Sequence, residues 1–232
     1  MMMLLVFLAA AAINVAASGA TGNISAAQSS FSAPSGTYTY SVQQGGNDLG
    51  TATVSISHSD IGLTVHESQN LQSSLSYTID EIFDATTLDP KAYTGAYARG
   101  TTATTVRVAV DSGGATVTID GTSGTAPFPN PPGIKHAYLI EGTLMSGYVL
   151  LPAQLHASKV TQFSLISPRS VAQVVGNVDL HPVITRPASV PTADVALSVT
   201  GKMNFDVWYD PTSMVVHAVS APGQQLLITL KK

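Results

Sequence analysis

Apolar and polar residues alternate with a period of two along most of this chain. Tyr38, Tyr40 and Val42 oppose Thr37, Thr39 and Ser41, and Ala52, Val54 and Ile56 oppose Thr53, Ser55 and Ser57. The same alternation runs through Leu63 and Val65, Leu75, Tyr77 and Ile79, Val106, Val108 and Val110, and Ala115, Val117 and Ile119. Such a pattern puts one face of an antiparallel strand against a core and the other toward water. Gln44-Gly45-Gly46-Asn47, His58-Ser59-Asp60 and Asp111-Ser112-Gly113-Gly114 fall between the runs and supply hairpin chemistry. Residues 37–120 therefore predict a meander of about seven strands.

The middle of the chain reads differently. A Pro- and Gly-rich connection covers 121–136, where Ala126-Pro127-Phe128-Pro129-Asn130-Pro131-Pro132-Gly133 is excluded from any central strand. Residues 144–156 form the one apolar stretch that fits a helix, although Gly147 and Pro152 weaken it. Strands are expected again at 159–166, 171–180, 193–201, 203–209, 213–219 and 224–230, with a rigid loop from Pro182 to Pro191. An open meander this long has to curl to cover its apolar face. The expected fold is thus mainly β: a strongly curved antiparallel sheet, a half-barrel, with one short helical segment covering the concave face. It occupies 37–232 as a single domain, after a flexible segment over 21–36.

Composition narrows the partners. Charged residues make up 10% of the 232, against roughly 25% in average globular proteins. The net charge is -4 and the lysines are scattered, which argues against nucleic acid, because phosphate binding needs clustered cations. Cysteine is absent, which removes disulfides, thiolate metal sites and a lipidated N-terminal cysteine. MMMLLVFLAAAAINVAASGA, residues 1–20, reads as a secretory signal peptide with small residues near its end, although no Lys or Arg precedes the apolar core. The run is short for a membrane span. The expected location is the periplasm or the extracellular space, with no stable membrane span after processing.

Four stretches carry a resemblance: Thr37 to Ser57 with Leu49-Gly50-Thr51-Ala52-Thr53-Val54, Tyr77 to Asp80 running on to Leu88–Tyr93, Leu150-Leu151-Pro152 with Gln162–Pro168, and Val207-Trp208-Tyr209-Asp210 with Val215–Val219. Together they resemble a group of uncharacterised exported bacterial proteins, whose fold is similar to the lipoprotein-carrier half-barrel of the periplasm. The resemblance implies a β half-barrel that handles a hydrophobic ligand. It supplies no catalytic residues to carry over.

Candidate chemistry is sparse. His66-Glu67-Ser68-Gln69-Asn70 starts like a zinc-protease motif, but Asn70 stands where the second His belongs. Asp111-Ser112-Gly113 resembles the catalytic corner of retropepsin-like aspartic proteases, where two carboxylates share a proton, and it equally makes a hairpin turn. The six His residues are dispersed; His217 near Asp206 or Asp210 is the conceivable metal pair, and no metal or cofactor is expected. The only Trp, Trp208, lies on a strand with Phe205, Val207 and Tyr209 on the opposite face, so both faces must be covered. Trp208 is expected to anchor the 144–156 helix or else to line a ligand, and Asp206 and Asp210 to serve the turn. The expected function is non-enzymatic binding of a hydrophobic small molecule, such as a lipid or acyl chain, lined by Tyr77, Tyr148, Leu150, Leu151, Trp208 and Val216. Two alternatives remain open: an assembly component meeting an envelope protein through a strand edge, and an aspartic hydrolase using Asp111.

Overall fold

Hairpin follows hairpin through the first half of the computed structural model, which describes residues 33–72, 74–120 and 125–231. β1 (Gly36–Gln44), β2 (Asn47–Ser59), β3 (Gly62–Leu71), β4 (Leu75–Phe83), β5 (Pro90–Arg99), β6 (Thr102–Asp111) and β7 (Gly114–Ile119) pair in sequence order. β8 (Thr125–Pro129) and β9 (Ala137–Leu139) follow, then the short helices α1 (Ser146–Val149) and α2 (Leu151–Ser158). The second half runs β10 (Gln162–Ser167), β11 (Ala172–Asp179), β12 (Val195–Gly201), β13 (Phe205–Tyr209), β14 (Val216–Ala221) and β15 (Leu226–Leu230). The signal peptide expected over 1–20 and most of the 21–36 segment lie outside the described residues. The end of that segment is packed: Ala33 is buried and Gly36 opens β1.

All these strands form one open sheet of 15 strands in the order β8-β7-β6-β5-β4-β3-β2-β1-β15-β14-β13-β12-β11-β10-β9. Every pairing is antiparallel except β9 with β10. Each strand neighbours its sequence neighbour save at two places. β1 pairs with β15 (Tyr40 opposite Leu230), and β8 and β9, close in sequence, stand at opposite ends.

Thr125–Pro129, expected within a loop, is an edge strand. Proline is tolerated there because only its outward side lacks a donor. Asn130 donates its backbone N–H to Gly113 at 2.9 Å. By the period of two, the N–H positions of 127 and 129 therefore point away from β7, and both are proline. The outward Pro129 carbonyl accepts Gln173 Nε2 at 3.0 Å. This edge offers little to an incoming strand.

The helical stretch exists but is broken at Leu150 into two short pieces. Pro152 sits in the first turn of α2, where a missing N–H costs nothing. Gly147 serves close approach: a Cβ there would lie 2.1 Å from the Leu139 carbonyl oxygen of β9. α1 touches β3 and β14, and Tyr148 meets Phe205 edge-on at 5.2 Å. One hydrophobic cluster joins Tyr77, Ile79, Tyr93, Val106, Val108 and Val117 of β4 to β7 with Leu139, Leu144 and Ile166. Strands far apart in the sheet order thus share a core.

Candidate functional site

At one end of β4 to β7 the core gives way to a cavity of about 360 Å3. Its lining follows from register. Leu75, Arg99 and Thr102 are cross-strand neighbours, Tyr77, Tyr97 and Thr104 form the next row, and Val106 and Ile119 pair beyond them. Alternation puts all of these on one face, so an apolar floor comes with Arg99 and two threonines at its rim. Arg169, in the β10–β11 turn, covers the opening from the other side, its guanidinium 5.8 Å from the Tyr77 ring centre and 5.4 Å from that of Tyr97. At the inner end the Tyr97 and Tyr93 hydroxyls hydrogen-bond to each other. Burial pushes both phenols up, Tyr93 the more strongly.

Deeper in, two carboxylates are fully buried. Glu67 accepts the backbone N–H of Met145 at 3.0 Å and of Ser146 at 2.7 Å, at the start of α1. Gln69, two residues along β3, donates to the Thr143 carbonyl at 2.8 Å and accepts the Thr143 hydroxyl. Burial raises Glu67 from 4.5 to about 7, against the opposing pull of those N–H groups. Glu81 is also fully buried, neither of its oxygens has a hydrogen-bond partner, and burial followed by the nearby Glu67 raises it well above 4.5. Sequence reading set Glu67 aside with the zinc-protease comparison and missed Glu81, although the signal was present. Leu63, Val65, Glu67 and Gln69 share parity, as do Tyr77, Ile79 and Glu81.

The residues expected to line one ligand divide between a cavity, the core and the outer face of β13. Tyr77 lines the cavity just described. Tyr148, Leu150, Leu151 and Val216 are core side chains, exposed by 2% or less. Trp208 does not anchor the helix, which meets Phe205 instead. Trp208 lies on the other face of β13 and packs with Val190, Ile184, Ala196 and Ala218, so its cover is the 182–191 loop. It borders a separate surface cavity of about 330 Å3 there.

Turn chemistry accounts for several of the carboxylates, Asp48, Asp84, Asp111, Asp179 and Asp210. Asp210 accepts the N–H groups of Thr212 and Ser213, which lower its affinity for protons. Asp206, expected to serve the turn, instead accepts the Ser198 hydroxyl across the strands. His217 pairs with Asp194 at 2.7 Å, not with Asp206 or Asp210. No group of three or more His, Asp or Glu residues that would hold a metal occurs among the described residues. His66, outward on β3, binds Asp80 at 2.8 Å.

Asp111 is exposed and accepts the Gly113 N–H of its own turn at 2.7 Å. It borders a cavity of about 560 Å3 with Asp84 and Asp89. Asp84, however, pairs with Lys91 at 2.9 Å and Asp89 with His136 at 2.7 Å. Among the described residues of this one chain no second carboxylate hydrogen-bonds Asp111, which serves its own turn.

No helix among the described residues is long and apolar enough to cross a membrane. Compared with family models, with curated proteins and with solved structures, the chain matches none, and its chemistry has to be read from its own side chains.

Proposed function

We propose that this protein binds a hydrophobic ligand, such as an acyl chain, without catalysing a reaction on it. The observation that carries the reading is the cavity of about 360 Å3 floored by Leu75, Tyr77, Tyr97, Val106 and Ile119. That volume is at the lower end of the range for small-molecule sites, and apolar walls with a few polar groups at the rim are their usual construction. In this reading the sheet curls as a half-barrel, similar to the periplasmic lipoprotein carriers. The segment 144–158 fills most of the hollow and leaves the ligand the end near Arg169. The burial of Leu144, Met145, Leu150, Leu151 and Leu155 supports that division of space.

Export by the 1–20 leader to the periplasm or beyond completes the proposal, and cell fractionation of the expressed chain tests it. Binding is tested with a fluorescent single-chain acyl probe against the full chain and a Val106→Trp variant, whose bulk fills the floor. The expected result is saturable binding by the parent and loss of it in a variant with unchanged circular dichroism. No saturable binding by the parent, or equal binding by both, overturns the proposal.

A further inference from the structure

The cavity's rim has a sign. Two of the chain's four arginines, Arg99 and Arg169, are among its lining residues, and no Asp or Glu is. The chain as a whole is acidic, with a net charge of -4. Arg99 projects from the β5 end of the floor, on the face shared by Tyr97 and Leu75, while Arg169 closes over Tyr77 and Tyr97 from the β10–β11 turn. Neither guanidinium has a carboxylate within ion-pair distance among the described residues.

One carboxylate, Glu141, reaches the turn that carries Arg169, and it is held there by other donors. Its Oε2 accepts the Ser167 hydroxyl at 2.7 Å and the backbone N–H of Arg169 at 2.9 Å. That backbone bond fixes the turn from which the Arg169 side chain extends over the rings. The hydroxyls of Thr102 and Thr104 add donors at the same rim. Guanidinium forks suit carboxylate geometry, and stacking on an aromatic face restricts the side chain before a ligand arrives.

We propose that the ligand is a single-chain anionic amphiphile, a fatty carboxylate. Its tail lies on the Tyr77, Tyr97, Val106 and Ile119 floor, and its head is clamped between Arg99 and Arg169. This rests on the binding reading above and specifies the head group that reading leaves open.

The test is isothermal titration of the full chain with dodecanoate and dodecyltrimethylammonium below their micelle concentrations and dodecanol below its solubility limit, repeated on the Arg99→Gln/Arg169→Gln double variant. Residues 1–20 are common to both proteins, so the difference between them reports the cavity. Dodecanoate is expected to bind roughly tenfold more tightly than dodecanol, as a charge-assisted contact allows. The preference should shrink at high salt. It should vanish in the double variant, which should bind dodecanoate and dodecanol alike. Equal affinity for dodecanoate and dodecanol in the parent overturns the inference and leaves the binding reading standing. So does a preference for the ammonium head, or a carboxylate preference that survives in the double variant. If no amphiphile binds the parent, both fall.

Discussion

Glu67 gives this fold a pH dependence opposite in sign to ordinary acid denaturation. Its carboxyl is fully buried and raised from 4.5 to about 7. Between those values the folded chain holds a proton that the unfolded chain has released, so unfolding releases it and stability falls as pH rises. The contribution is complete below pH 4.5 and is lost on passing pH 7. At ~1.36 kcal/mol per pH unit, the interval amounts to roughly 3 kcal/mol. The groups that act on Glu67 are the N–H groups of Met145 and Ser146, the Ser146 hydroxyl and His66, all opposing the effect of burial; Glu67 in turn raises Glu81 and Tyr40. Glu81, raised by burial as well, adds to the same slope.

The perturbation is Glu67→Gln, which cannot ionise and turns an NH2 toward one of the two N–H donors. Losing that bond costs about 1–3 kcal/mol. The assay is urea unfolding at pH 5, 6, 7 and 8, followed by the fluorescence of the single buried Trp208. The parent is expected to be the more stable at pH 5 and to lose that advantage by pH 8, with its midpoint falling on the order of 1 M more than the variant's. Parallel pH profiles, or a parent that gains stability over the variant as pH rises, would refute the reasoning.

Three further outcomes are expected. Glu81→Met should raise stability at pH 8 by about 1–3 kcal/mol, because it removes a buried carboxyl with no partner; urea unfolding checks this. Gly147→Ala forces a Cβ to 2.1 Å from the Leu139 oxygen, so α1 has to move off β9. A loss of about 1–3 kcal/mol or more, read as a lower thermal midpoint, should follow. Trp208→Leu loosens the 182–191 loop from β13, and limited proteolysis should cut that loop faster while the far-ultraviolet circular dichroism is preserved.

How much of this was legible in the sequence depends on the element. Most of the first seven strands were readable because an alternating run lies between turn signals, so period and turn agree; β5 carried no such run, because Gly95 stands between Tyr93 and Tyr97. β8 was not, since prolines at 127 and 129 read as a loop; their compatibility with an edge depends on which side of the strand faces a neighbour. Gly147 argued against a helix by propensity, yet the helix forms because tertiary contact with Leu139 requires the absence of a side chain. Of the expected ligand-lining residues, Tyr77 reached a cavity with an apolar floor. The rest were apolar residues that the core took, or, for Trp208, a residue under a loop whose path no local pattern encodes. Arg169 went unnoticed because it is an isolated cation in sequence. Only the sheet brings it over two tyrosines some seventy to ninety residues earlier in the chain.

The pairing of β1 with β15 sets an order on assembly. Strands β1 to β7 can zip locally, as can β10 to β15, but the bond between these halves joins residues 40–44 to 226–230. A nascent chain therefore carries a central strand, β1, paired only to β2 until β15 has been made, and joining these distant segments is entropically slow. During that interval β1 is open to any extended peptide nearby. A holding chaperone that recognises such a strand would serve this protein for longer than one whose ends lie at the margins of its sheet.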